Sequence, residues 1–240
     1  MKVDILAIGV HPDDVELSCS GTLVKHIQAG KKVAVVDLTR GELGTRGTAE
    51  TRDVESNDAA RILGVADRMN LLMADGFFRN DEAHQHLLIE AIREYQPEII
   101  FANAIHDRHP DHARAAELIR EAAFYSGLAK IKTHFHGQEQ SPWRPRAVYH
   151  YIQDYWVEPD FVVDITDHVE TKMASILAYK TQFFQEGETD QEPATPISTK
   201  AFQEFLYARM RQFGRLIGAE FGEGFTTNRA VGVEDVLTLR

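Results

Sequence analysis

A chain of 240 residues, 43% hydrophobic and 26% charged, is long enough to bury about three quarters of its unfolded surface in one globular unit. Its 37 acidic residues outnumber 26 basic ones, for a net charge of -11, and a surface of that sign argues against binding nucleic acid. The single cysteine, Cys19, excludes an internal disulfide and a thiolate-cluster metal site, so any metal has to be held by imidazole and carboxylate groups. No basic leader segment and no bilayer-length apolar stretch is visible, which gives the expectation of a cytoplasmic protein without a membrane partner.

Val3–Val10 is a short apolar run, rich in branched residues, of the kind that forms a buried parallel strand. The pattern then turns helical over Ser20–Ala29 and stops at Gly30. A second strand is expected over Val33–Thr39, followed by a glycine-bearing loop and a helix around Glu50–Leu63. Met69–Met73 reads as a third strand and Asp81–Tyr95 as a helix that Pro97 closes. Glu98–Ala104 is the fourth strand, and Ala113–Phe124 the helix after it. Lys130–Pro145 is polar and irregular, and Ala147–Ile152 and Phe161–Ile165 are further strands. Asp167–Phe183 is helical in pattern, with Asp167 and Glu170 spaced as a capping box. A loop containing Gly187, Pro193 and Pro196 leads to Ser198, a candidate N-cap. The helix beyond it places Phe202, Phe205, Leu206, Met210 and Phe213 on one stripe, suited to a core or a subunit contact.

Strands alternating with helices imply right-handed βαβ units. The expected fold is α/β, a Rossmann-like doubly wound, mostly parallel sheet with helices on both faces, plus a C-terminal α/β extension. The whole chain, 1–240, reads as one domain, with a core over 1–128 and completing strands and helices over 129–240.

Two related tetrapeptides carry chemistry: His11-Pro12-Asp13-Asp14 after the first strand and His109-Pro110-Asp111-His112 after the fourth. In a sheet of order 3-2-1-4-5 those strands are neighbours, and the crevice at their carboxyl ends is where such folds bind ligands. His11, Asp14 and His112 then offer two imidazoles and one carboxylate, with a position left open, the composition of a catalytic zinc site; ferrous iron also suits that set. The open position would hold a water whose pKa the metal lowers. Asp13 could act as general base on that water, and His109 could donate to the developing oxyanion, with Asp111 orienting it. One such motif alone is equally well explained as turn and cap chemistry; two at adjacent sheet positions favour a metal.

The other histidines lack this support. His26, His84, His86, His134, His136 and His168 read as solvated, and His106 and His150, near strand ends, stay undecided. The loop Thr39–Thr48 has no dinucleotide fingerprint. Its Glu42, and Arg52 just beyond, read equally as hooks for a hydroxylated or anionic ligand and as ordinary solvated charges. Arg40, Arg46 and Arg108 are expected, with Arg52, to face the same crevice.

These residues resemble the LmbE-type, GlcNAc-phosphatidylinositol deacetylase-like family. The similarity includes Leu38–Arg52 (LTRGELGTRGTAETR) and Asn70–Phe78 (NLLMADGFF) and extends through Tyr149–Ile152, Phe161–Ile165, Lys180–Phe184 and Glu223–Phe225. Within the family the chain is most similar to the N-deacetylase branch of bacillithiol biosynthesis. The resemblance implies zinc at His11, Asp14 and His112, a base at Asp13, an electrophilic His109 supported by Asp111, and sugar contacts from Glu42, Arg52 and Asp75. It further implies N-acetylglucosaminyl-malate as substrate and a homo-oligomer, often a hexamer. The competing readings are a metal-dependent deacetylase of another N-acyl sugar or amide, and a non-catalytic Rossmann-like binding module.

Overall fold

The computed structural model describes residues 1–185 and 192–238. Five strands with intervening helices form its first half: β1 (Ile5–Gly9), α1 (Asp14–Gln28), β2 (Val33–Asp37), α2 (Ala49–Leu63), β3 (Asp67–Asn70), α3 (Glu82–Tyr95), β4 (Ile99–Ala102), α4 (Pro110–Tyr125) and, after a small hairpin of β5 (His134–Phe135) and β6 (Gln138–Glu139), β7 (Ala147–Tyr151). The rest comprises β8 (Phe161–Asp164), α5 (Val169–Leu177), α6 (Lys200–Leu216) and β9 (Gly222–Thr226). The main sheet has the order β3-β2-β1-β4-β7-β9-β8. β3, β2, β1, β4 and β7 pair in parallel, while β9 runs antiparallel to both its neighbours. No helix among the described residues is long and apolar enough to cross a membrane.

β1 and β2 are buried along their whole length, as strands covered on both faces must be. Their period of two sorts the core: Leu6, Ile8, Ala34 and Val36 pack with Leu88 and Ile92 of α3 and Leu118 and Ile119 of α4. Ile5, Ala7, Val33 and Val35 face the other way, against Val15, Cys19 and Leu23 of α1. A third cluster joins α5 and α6 through Met173, Ile176, Leu206 and Met210, so the α6 stripe is partly core, with Phe205 left 40% exposed.

Several local expectations are corrected. α1 starts at Asp14 and not at Ser20, because the His-Pro-Asp-Asp turn leads straight into the helix and Val15, Cys19 and Leu23 supply its buried face. β3 starts two residues early, at Asp67, because Arg68 enters the sheet region as a paired ion. Asp167 lies in a 3-10 turn (Thr166–His168), and neither that turn nor α5 has a side-chain cap. α6 is capped by Thr199, whose hydroxyl accepts the Phe202 N–H, while the Ser198 hydroxyl bonds the carbonyl of Thr195. Gly187, expected in the preceding loop, lies outside the described residues.

β9 was unanticipated because its glycines depress strand propensity. They are needed because α6 lies almost in contact with the strand: a Cβ at Gly222 would come 2.8 Å from the Gly214 nitrogen, and one at Gly224 would come 2.6 Å from the Phe213 ring. Behind the site, the guanidinium of Arg68 binds both oxygens of Asp37 (2.7 and 2.8 Å) and one oxygen of Glu16, all three side chains being at most 5% exposed. Removing one partner of such a network strands the others. Arg68→Met is expected to lower unfolding free energy by about 3–5 kcal/mol, measured by urea denaturation; a loss near zero would show that the two carboxylates find other partners.

Candidate metal and catalytic site

Pairing of β1 with β4 brings the two His-Pro-Asp turns together at the carboxyl edge of the sheet. The His11 ring centre is 4.8 Å from that of His109 and 5.7 Å from that of His112. Between them lies the Asp14 carboxylate, 3% exposed, at the first turn of α1. Its Oδ2 accepts from the amides of Val10 (2.9 Å) and His11 (3.1 Å) and from Asn103 Nδ2 (3.0 Å). Its Oδ1 accepts from Gln153 Nε2 and lies 3.1 Å from His112 Nε2.

His11 and His112 each have one nitrogen occupied by a carboxylate and the other turned towards Asp14. His11 Nε2 is 3.0 Å from Asp75 Oδ1 and 3.7 Å from Asp111 Oδ2, which leaves Nδ1 3.8 Å from Asp14 Oδ2. His112 Nδ1 is 2.6 Å from Asp107 Oδ2, which leaves Nε2 for Asp14. Carboxylates that tie off the outer nitrogen are what orients imidazoles towards a cation, so this donor set fits a divalent metal. The ligand atoms that lie within 4.8 Å of one another form two overlapping groups, His11 with His109 and His112, and His11 with Asp75 and Asp111; Asp14 belongs to neither and meets the two imidazoles one at each oxygen. In those groups Asp75 and Asp111 are already engaged by the amides of Leu43 and Gly76 and by Arg114, and His109 Nδ1 accepts the Asp111 amide at 3.3 Å.

That last bond leaves the His109 proton on Nε2. Burial lowers the His109 pKa, and the neighbouring His11 and His112 lower it further, so the ring is a neutral N–H donor. The backbone amide of Asp111 donates to the His109 ring, and the Asp111 carboxylate acts on that ring through its charge, favouring the protonated form. For His11, burial opposes the charge, but hydrogen bonds to Asp111 and Asp75 and the field of Asp14 outweigh it and push the ring up to about 10. Burial likewise opposes charge on His112, and Asp14 and Asp107 push it up to about 9. Burial also works against ionisation of Asp14, yet His112 and His11 hold its carboxyl far below the usual range. A bound cation would displace the imidazole protons.

Asp13 is the N-cap of α1 at φ 121°, a conformation that costs a non-glycine residue on the order of 1–3 kcal/mol. Burial pushes its pKa up to about 7 against the pull of Arg52, whose Nη2 lies 2.8 Å from Asp13 Oδ2 and also bonds the Pro12 carbonyl. Glu42 accepts the Asp75 amide at 2.9 Å, so the loops after β2 and β3 are laced together beside His11. Arg108 comes from the other side. It pairs with Asp154 at 3.2 Å and lines a cavity of about 80 Å³ together with Asp14 and His112.

Arg40 and Arg46 do not join this group: Arg40 pairs with Asp53 and Glu50, and Arg46 is buried against the carbonyls of Thr181 and Pro193. His134 and His136 sit on the β5–β6 hairpin. His150 is buried against the Asn103 carbonyl, and the His106 ring packs on Tyr155. Asp107, Asn103 and Gln153 are site residues that sequence reasoning missed. Asp107 had a local signal, an acid two residues before the second motif, whereas Gln153 is brought in only by the pairing of β4 with β7.

By its family and its curated relatives the chain is an enzyme of the carbohydrate N-deacetylase class. The chain belongs to the PIG-L family, the GlcNAc-PI de-N-acetylases, whose model matches residues 6–123, a stretch that holds both His-Pro-Asp turns. A solved structure of a conserved protein from Thermus thermophilus is 32% identical, superimposes with a TM-score of 0.85 and covers 98% of each chain. The diacetylchitobiose deacetylase of Thermococcus kodakarensis is 26% identical over 92% of this chain and 81% of its own. A probable N-acetyl-alpha-D-glucosaminyl L-malate deacetylase of Bacillus subtilis is 25% identical over 86% of this chain and 97% of its own.

Asp107→Asn is expected to weaken divalent-metal binding about 10–100-fold, the range for outer-sphere partners of ligating histidines, read by chelator competition. His134→Ala should change nothing. Equal affinity in the Asp107 variant and the parent would remove Asp107 from the site.

Proposed function

We propose that the chain is a zinc-dependent N-deacetylase that converts N-acetylglucosaminyl-malate to glucosaminyl-malate and acetate. The observation that supports this reading is the Asp14 carboxylate lying beside both His11 and His112, with the His109 ring next to the two imidazoles. His11, Asp14 and His112 would hold the ion, with ferrous iron as the alternative occupant. When bound, it supplies positive charge that polarises the amide carbonyl and acidifies water.

The chain's own groups supply the rest. Asp13 takes a proton from the attacking water as the new carbon–oxygen bond forms, then returns it to the sugar nitrogen as the carbon–nitrogen bond breaks. His109 donates Nε2–H to the carbonyl oxygen as its negative charge grows, and its neutral state keeps that proton available. Arg52 holds Asp13 in its strained cap, and with Glu42 and Asp75 it receives the sugar. Arg52, the first candidate for a malate carboxylate, is engaged by Asp13, so Arg108 would be the cation that receives the malate group. The malate assignment draws on the name of the Bacillus relative, and the N-acetylated amino sugar on the names of both curated relatives. The proposed setting is the cytoplasm and the assembly a homo-oligomer, with Phe205, Tyr207 and Leu216 of α6 exposed and available to a second copy.

The decisive assay compares acetate release by zinc-loaded enzyme from N-acetylglucosaminyl-malate and from free N-acetylglucosamine, with the conjugate expected to be preferred. Equal rates would remove malate recognition and leave sugar deacetylation standing. In Asp13→Asn, metal should be retained while turnover falls about 10²–10⁴-fold. In His112→Ala, most of the metal should be lost; full occupancy there would sink the ligand assignment.

A further inference from the structure

One side chain of α6 reaches the loop that follows β7. Arg209 donates from Nη1 to the Asp154 carbonyl at 2.7 Å and from Nη2 to the Tyr155 carbonyl at 2.9 Å. Its guanidinium lies 5.6 Å from the centre of the Phe205 ring and 5.7 Å from that of Phe213, and Phe213 in turn stacks on Trp156 at 4.9 Å. Among the described residues Arg209 has no ion-pair partner, and its Nε is buried with no hydrogen-bond acceptor. Covering a cation without a counter-ion is unfavourable. A methionine of similar length would fill the same space without that cost but would offer neither of the two donors.

The two donors point at the outside of a segment whose inside grips two of the three metal-ligand candidates, Asp14 and His112. The amides of Asp154 and Tyr155 donate to Asp107 Oδ1 at 2.8 and 3.0 Å, and Asp107 Oδ2 holds His112 Nδ1 at 2.6 Å. Gln153, one residue earlier, places Nε2 3.1 Å from Asp14 Oδ1 and 3.4 Å from His112 Nε2. Its Oε1 accepts from Asn103 Nδ2 and from the Ala104 amide, both at 3.1 Å. Residues 153–155 therefore form a bracket: two carbonyls face outward to α6, and two amides and one side chain face inward to the site.

We propose that Arg209 is a positioning residue for the metal centre, acting through this bracket to set the angle of the His112 ring. The inference rests on the metal reading of His11, Asp14 and His112. Arginine suits the task because its planar fork presents two donors at fixed spacing to adjacent carbonyls, which the single ammonium of lysine cannot reproduce.

The test is zinc affinity of the metal-free, full-length protein, measured by competition with a chromogenic chelator, with circular dichroism as the check on folding. Arg209→Met should weaken binding about tenfold, at the low end of the outer-sphere range, and Arg209→Lys should not restore it. Arg209→Gln, which keeps one donor, should fall between the methionine variant and the parent, and it serves if the methionine variant does not fold. Arg211→Met, an exposed arginine on the same helix paired with Glu220, should leave affinity unchanged. The discriminating measurement is a double-mutant cycle with Asp107→Asn. If Arg209 acts through Asp107, the double variant loses less affinity than the product of the two single losses. Independent, multiplying effects would overturn the proposal, and so would an unchanged affinity in Arg209→Met. Failure of the parent protein itself to bind zinc would instead overturn the metal reading and this inference with it.

Discussion

The site is organised around one buried anion. Asp14 carries its charge almost out of water, and the structure answers with two backbone amides, two side-chain amides and two imidazoles. Those groups come from the ends of β1, β4 and β7 and from the first turn of α4, so the carboxylate is satisfied only when the three strands and that helix are in place. The first turn of α1 adds the positive end of a helix dipole. Desolvating a carboxylate without such a set costs several kcal/mol, which ties correct assembly of the sheet edge to correct assembly of the chemistry.

Surrounding carboxylates divide the labour. Asp75 and Asp107 each take the outer nitrogen of one histidine, so tautomers are set before any ligand arrives. Asp13 is displaced from that duty by its backbone, which turns its carboxylate to Arg52. Adjacent residues in one tetrapeptide thus face different partners, and that is why two neighbouring aspartates can serve different roles in the chemistry proposed.

Much of this was legible because it is local. Val3–Val10 and Val33–Thr39 announce buried strands through branched apolar runs, and the paired tetrapeptides place histidine and aspartate where strand order brings them together. What escaped depends on contacts distant in sequence. Gln153 matters only because β7 lies beside β4, and Gly222 and Gly224 form a strand only because α6 presses on them. Arg68 carries no local signal of burial, because Asp37 and Glu16 come to enclose it from other elements. The Asp167 and Glu170 spacing suggested a cap, but a 3-10 turn precedes α5 there. Arg40 and Arg46, grouped with Arg52 by loop position, find carboxylate and carbonyl partners away from the crevice.

The position of β9 bears on how the molecule assembles. Among the described residues, β8 has no neighbour in the sheet except β9, so it joins only after a strand some sixty residues later in the chain arrives. The four strands β1 to β4 can pair as they emerge from the ribosome, but the far edge stays open until Gly222–Thr226 slot between β7 and β8. Such long-range closure is slow, and it leaves the β7 edge exposed to mispairing in the interval. Glu223 in the incoming strand gives that closure a latch: it accepts from the Gly21 and Thr22 amides of α1 and from the Lys172 ammonium of α5, contacts it makes once β9 lies in place.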